Sequence, residues 1–235
     1  MERLDKILVS QGVGSRREVQ KLIKKKSVTV DGELILRPEF KLNPEEAEIT
    51  VNGQALSFKK HIYIMLNKPA GVVSATKDTS QKTVLDILPD NLKRKGLSPV
   101  GRLDKDTEGL MILSDDGDFA HKILSPKKHI YKRYFAKLDG ELKSEMIENF
   151  KNGIELSGGE ICLPAKLEIA DKNSAFVEIC EGKFHQVKKM FLTQGLSVTY
   201  LERVKIGGLE LDSNLHRGEA RELTNYEKTA IFIGK

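Results

Sequence analysis

Tryptophan is absent from this chain, and its 235 residues include only seven prolines and two cysteines. Two cysteines, Cys162 and Cys180, cannot build a disulfide framework, and neither sits in a CxxC pair that would announce zinc or redox chemistry. Both are expected as free thiols in a reducing compartment. No apolar run approaches the roughly 20 residues of a membrane span, and the opening MERLDKILVS lacks the uncharged apolar stretch of a signal peptide. The expected location is cytoplasmic, with no membrane contact. His185 has no second histidine or cysteine at metal-ligand spacing, and neither a GxGxxG nor a Walker pattern occurs. No metal and no nucleotide cofactor is therefore expected.

What is present describes a soluble globular protein: 31% charged and 39% hydrophobic residues, in a length that accommodates one domain or two. The net charge of +5 is modest, but its distribution is uneven. Residues 14–26, GSRREVQKLIKKK, hold six basic residues and one acidic, and residues 119–138, FAHKILSPKKHIYKRYFAKL, hold six lysines or arginines and no acid. One such run reads as a solvated face; two in one chain favour a polyanionic partner.

The pattern divides the chain near residue 60, into regions 1–58 and 59–235. In the first, RLDKILVSQG reads as a short helix ending at Gly12, and Ser15 with Glu18 forms a capping-box start for a second helix. Val19, Leu22 and Ile23 then face a core, leaving Arg16, Arg17, Lys21, Lys24 and Lys25 as a basic outer stripe. VTVDG and EITVNG alternate apolar and polar residues and end in hairpin turns. This arrangement resembles the αL RNA-binding domain first described in a small-subunit ribosomal protein, in which the second helix and its preceding turn grip RNA phosphates. The second region reads as α+β. Strands at IYIMLNKPAGVVSA, KRYFAKLDG, AFVEICEG and LSVTYLERVKIGG are interrupted by amphipathic helices around Leu142 to Phe150 and Val187 to Phe191. Because no regular βαβ alternation appears, the sheet is expected to be mixed and mainly antiparallel.

Between those strands lies GRLDKDTEGLMILSDDGD, where Asp104, Asp106, Glu108, Asp115 and Asp116 crowd together. Counted from Asp104, a calcium loop would find acids at positions 1, 3, 5 and 12 and glycine at 6. Pro99 and Gly101 deny it an entering helix, however, and LMILS reads as a buried strand rather than as ligand positions. The segment is better read as a loop leading into a strand, with Asp115 to Gly117 as the turn beyond it and Asp106 and Thr107 bonded to local backbone. Asp104, near Arg102, is then either a loop cap or a catalytic carboxylate. Tyr134, on an alternating strand with Ala136 and Leu138, is likewise either core or site.

GRLDKDTEGL resembles the active-site motif of the pseudouridine synthases, G-R-L-D-x-x-T-x-G-L. MLNKPAGVVSA matches their upstream N-K-P-x-G loop, KRYFAKL their K-x-Y segment, and EGKFHQVKKMF their E-G-x-x-x-Q-V-K/R-R-M segment. With the αL-type region in front, nearly the whole chain resembles the branch that modifies bacterial ribosomal RNA. The resemblance implies isomerisation of uridine to pseudouridine: the base is cut from C1′, rotated and rejoined through C5, after being flipped out of the RNA. It implies Asp104 as the catalytic aspartate, Tyr134 as the side chain that stacks on the target base, and Lys188 as the cation paired with the aspartate. Arg102 would fill the space of the flipped base or touch phosphate, Lys189 would be a helix-surface lysine or touch phosphate, and Asn67 and Lys68 would shape the pocket in a structural rather than a chemical role. The wording of the last motif and of the stretch after Asp115 is most like the small-subunit branch, which acts at uridine 516 of 16S rRNA. The implied substrate is a partly assembled small ribosomal subunit met by a monomeric enzyme. A 23S rRNA synthase of the same family, or a non-catalytic RNA-binding protein, would share most of these features. Asp104, Tyr134 and Lys188 together favour the enzyme.

Overall fold

The computed structural model describes residues 1–125 and 128–233. Lys127 of the second basic run and the last two positions of the 59–235 region lie outside those residues. The chain separates into two compact units, Met1–Ile62 with Asp90–Leu97, and Tyr63–Pro89 with Ser98–Lys235. The division thus falls at 62/63 rather than 58/59, and residues 90–97 join the first unit. Arg94 explains that return: its guanidinium donates to the carbonyls of Lys59 at 2.7 Å and Lys60 at 2.9 Å.

The first unit contains β1 (Glu2–Arg3), α1 (Leu4–Ser10), α2 (Arg16–Lys24), β2 (Val28–Val30), β3 (Glu33–Leu34), β4 (Lys41–Leu42), β5 (Ile49–Val51) and β6 (Gln54–Ala55). Leu4, Ile7 and Leu8 recur at helical spacing and are fully buried against Val19 and Ile23 of α2. Each such side chain stabilises the unit by about 1.5–3 kcal/mol. The capping box is formed, with Ser15 N–H donating to Glu18 and Glu18 N–H to the Ser15 hydroxyl. Strands β3, β2, β5 and β6 make a four-stranded sheet in that order. Its hairpins turn at Asp31-Gly32 and Asn52-Gly53, where all four residues take positive φ, the geometry that a two-residue turn between twisted strands requires. Asp5 is fully buried although charged. Arg3 grips it with two 2.9 Å hydrogen bonds, which hold its carboxyl below the usual carboxylate range.

The second unit contains β7 (Tyr63–Lys68), β8 (Ser98–Pro99), β9 (Glu108–Ser114), α3 (Gly117–Leu124), β10 (Lys132–Leu138), α4 (Glu145–Asn152), β11 (Lys166–Asp171), β12 (Ser174–Ile179), α5 (Gln186–Thr193), β13 (Val198–Ile206), β14 (Leu209–Glu210), β15 (Ala220–Glu222) and α6 (Asn225–Ala230). Its nine-stranded sheet runs β11-β12-β10-β13-β9-β7-β15, with β14 on β13 and β8 on β9. The pairings are antiparallel except for β13 with β9, which is parallel at Glu202–Glu108 and Arg203–Gly109. The mixed, mainly antiparallel sheet expected from the sequence is what forms. Leu110 to Leu113 of β9 are fully buried, as a central strand covered on both faces must be. Asp115 to Gly117 is more than a turn: Asp116 caps α3 by accepting from Phe119 N–H at 3.0 Å, and its other oxygen accepts the Tyr63 hydroxyl at 2.6 Å.

The parallel pairing depends on one glycine. Gly109 sits at φ +96°, and a Cβ there would stand 2.3 Å from the Arg203 carbonyl oxygen and 2.9 Å from its nitrogen. Only a residue without a side chain lets β9 reach β13, and β9 begins four residues after Asp104.

Candidate active site

Three elements converge on a cavity of about 730 Å³: the loop entering β9, with Arg102, Asp104, Asp106 and Thr107; the inner face of β10 and β13, with Tyr134 and Leu201; and the start of α5, with Phe184, His185 and Lys188. Tyr134 reaches the cavity because β10 alternates. Lys132, Tyr134, Ala136 and Leu138 share one face, while Arg133 turns to the other and pairs with Glu168 and Glu178.

Lys188 is the electrostatic hub. Its ammonium lies 2.6 Å from Asp106 Oδ1 and 3.3 Å from Asp104 Oδ2. The expected Lys188–Asp104 pair therefore exists as half of a bridge between two carboxylates, and the shorter distance is to Asp106. That hydrogen bond holds the Asp106 carboxyl below its ordinary range against the cost of burial. Asp106 is thus not confined to local backbone bonds, as its neighbours in sequence led one to expect. Lys188 lies in the first turn of α5.

His185 Nε2 stands 3.6 Å from Asp104 Oδ1, opposite the lysine. Reading His185 only as a possible metal ligand missed this placement, and among the described residues no group of three or more metal-ligating side chains forms. His185 takes φ +54° immediately before α5, a left-handed conformation that costs a non-glycine residue on the order of 1–2 kcal/mol. The loop leading to it is braced. Gln186, almost fully buried, accepts from Lys183 N–H at 2.9 Å and donates to Glu181 at 2.7 Å.

Asn67 and Lys68 do not line this cavity. Lys68 is wholly buried, and its ammonium donates to the carbonyls of Thr107 at 2.8 Å, Pro69 at 3.1 Å and Lys105 at 3.2 Å. All three N–H bonds are used, so none is left for RNA; the side chain clamps the Asp104 loop from behind. Burial pushes the Lys68 pKa down to about 8, with Asp106, Glu108 and Asp104 acting against that fall. Asn67 points to the opposite side of β7, donating to the Leu215 carbonyl at 2.7 Å and accepting from Arg217. There it borders a separate cavity of about 570 Å³, in which Arg217 is engaged by Glu108 and Glu202. The two side chains therefore support the loop and its strand rather than form the wall of one pocket, because a strand turns adjacent residues to opposite faces.

Arg102 is exposed at the cavity. Lys189 is half-buried, with its ammonium 5.1 Å from the centre of the Phe184 ring. In the first unit Arg16, Arg17, Lys21, Lys24 and Lys25 are all exposed. Arg16 is partly committed, its Nε lying 3.6 Å from the buried Asp5. No helix among the described residues is long and apolar enough to cross a membrane.

Residues 62–193 match the RNA pseudouridylate synthase family, and residues 2–49 match the S4 domain. The chain is 43% identical over 229 residues to the uncharacterized RNA pseudouridine synthase YtzG of Bacillus subtilis (strain 168), covering 96% of both chains. It is 39% identical over 232 residues to ribosomal small subunit pseudouridine synthase A of Escherichia coli (strain K12), covering 97% of this chain and 99% of that one. A crystal structure of a pseudouridylate synthase superposes with a TM-score of 0.68 at 35% identity, over 98% of this chain and 100% of the other. The synthase match spans the β9 loop, Tyr134 and Lys188 alike, and with an S4 domain ahead of it this chain belongs to the RNA pseudouridylate synthase family.

Proposed function

We propose that the chain isomerises one uridine of 16S rRNA, at the position equivalent to 516, with Asp104 as the reacting carboxylate. One observation carries the chemistry: Asp104 borders a cavity large enough for a nucleotide, held by Lys188 at 3.3 Å, with Tyr134 in the same wall. The full-length likeness to the Escherichia coli small-subunit enzyme supports the choice of subunit. A flipped uridine enters the cavity and stacks on Tyr134. Asp104 acts at C1′, by attack or by stabilising positive charge there, while the C1′–N1 bond breaks. Both routes need the carboxylate held at C1′, and the Lys188 ammonium at 3.3 Å orients it. The uracil turns, C5 bonds to C1′, and the C5 proton is lost as N1 gains one. Atoms and electrons balance within the nucleotide. No co-substrate is called for.

Target choice must come from RNA contacts outside the cavity, because every flipped uridine offers the same base. A partly assembled small subunit, bound by one copy of the chain, would present the site in a fixed shape. Deleting the gene in its own host and mapping pseudouridines by carbodiimide-stop sequencing is expected to remove the modification at position 516 alone. Loss of a 23S rRNA site with 516 still modified would overturn the subunit assignment and leave the reaction standing.

The exposed basic residues of α2 and its C-terminal end give a second expectation. Replacing Arg17, Lys21, Lys24 and Lys25 together by glutamine should weaken rRNA binding and reduce the slope of log affinity against log salt by about 1 for each phosphate no longer neutralised. Single-turnover chemistry at saturating RNA should persist. An unchanged salt slope in a folded variant would remove α2 from the RNA interface.

A further inference from the structure

The proposed reaction leaves one conspicuous part of the cavity unused. Phe184 is 73% exposed at its rim, and its ring stacks on His185 with centroids 3.8 Å apart and planes 20° from parallel. Exposed beside a cavity, the Phe184 ring offers apolar surface to whatever enters there. Here the backbone presents it on a fixed base, through the strained φ of His185 and the Gln186 bonds to Lys183 and Glu181. Two cations lie beside it: Lys189 sits over the phenyl ring and Arg102 borders the same cavity, while Lys188 is held by Asp104 and Asp106.

We propose that the Phe184–His185 pair is a stacking platform for the nucleotide adjacent to the target uridine. The idea rests on RNA as substrate and adds to that reading where the neighbouring base goes. Flipping a uridine strips its neighbour of one stacking face, and an exposed aromatic at the cavity rim restores it. Surfaces that hold unpaired RNA combine aromatic stacking with basic groups for phosphate, which is the composition found here. Depth separates the two bases: Tyr134 is only 9% exposed and serves the one that enters, whereas Phe184 stands outside. A base stacking on Phe184 would take the place of Lys189 and free its ammonium for phosphate. The 3.6 Å approach of His185 to Asp104 then ties the position of the neighbour to that of the reacting carboxylate.

The test uses the full chain and a 16S rRNA fragment carrying the uridine at the position equivalent to 516, with 2-aminopurine placed in turn on either side of it. Phe184→Ala, Phe184→Leu and Phe184→Trp are compared for KM, for kcat and for fluorescence quenching on binding. Alanine and leucine are expected to raise KM about 5- to 100-fold, with kcat within about twofold of wild type. Tryptophan should behave as wild type, and quenching at one flanking position should survive only with an aromatic at 184. Melting temperatures should agree across the set, since the side chain is exposed. Leucine with wild-type KM and wild-type quenching would overturn the platform, as would a fall in kcat at unchanged KM. Wild-type protein that quenches 2-aminopurine yet never forms pseudouridine would count against the proposed reaction while leaving the platform supported.

Discussion

Asp104→Asn is expected to lower pseudouridine formation by at least about a thousandfold, a barrier increase of roughly 4 kcal/mol, while RNA affinity stays within about threefold. The substitution keeps shape and removes charge and nucleophilicity. Loss of the carboxylate does not strand Lys188, because its 2.6 Å partner Asp106 remains. The fold around the site should therefore survive, and the change should appear in kcat. Tritium release from 5-tritiated uridine in rRNA measures turnover directly. Activity within about tenfold of wild type, a change of only about 1.4 kcal/mol, would remove Asp104 from the centre of the mechanism. Asp106→Asn supplies the contrast: it takes away the nearer carboxylate of Lys188 but no group at C1′, so its effect should be much smaller.

Gly109→Ala should damage stability and activity together. The added methyl group meets the Arg203 backbone at 2.3 Å, and no flexible side chain can yield there because the obstacle is main chain. The residue must also bear a positive φ, itself worth on the order of 1–2 kcal/mol. A total loss of at least about 3 kcal/mol is expected, which for a chain of this size lowers the melting temperature by roughly 6–12 °C. Separating β9 from β13 also shifts the loop that carries Asp104, and a displacement near 1 Å costs about a hundredfold in rate. A variant melting within about 2 °C of wild type would show that the strands can part cheaply.

What could be read from the sequence follows the range of each interaction. The α2 cap joins residues three apart, and the Asp31-Gly32 and Asn52-Gly53 turns are dipeptides, so both were visible locally. The buried run LMILS announced a central strand by composition alone. Asp106 and Lys188 are 82 positions apart, and nothing near Asp106 reveals that its partner lies on a helix end. The same holds for His185, whose left-handed backbone has no signature in EGKFHQ. That Asn67 and Lys68 take opposite sides of β7 was legible, because period-two alternation turns adjacent strand residues to opposite faces. That Lys68 is the inward one, spending three donors on carbonyls, depends on how the loop folds back over it.

Residues 90–97 have a bearing on engineering. Because this octapeptide leaves the synthase region to join the S4-bearing unit and then returns, the chain crosses between the units three times rather than once. A graft that exchanges only the first 58 residues for those of another protein would remove Gln11, whose amide clasps the Lys59 carbonyl at 3.1 Å and the Lys59 N–H at 2.9 Å. Lys59 and Lys60, with Arg94 still bonded to them, would then be left against a foreign surface. The transferable cassette is discontinuous. Chimaeras meant to redirect such an enzyme to a new RNA should move residues 1–62 and 90–97 together, and a library shuffled at a single crossover near residue 60 should be poor in soluble members.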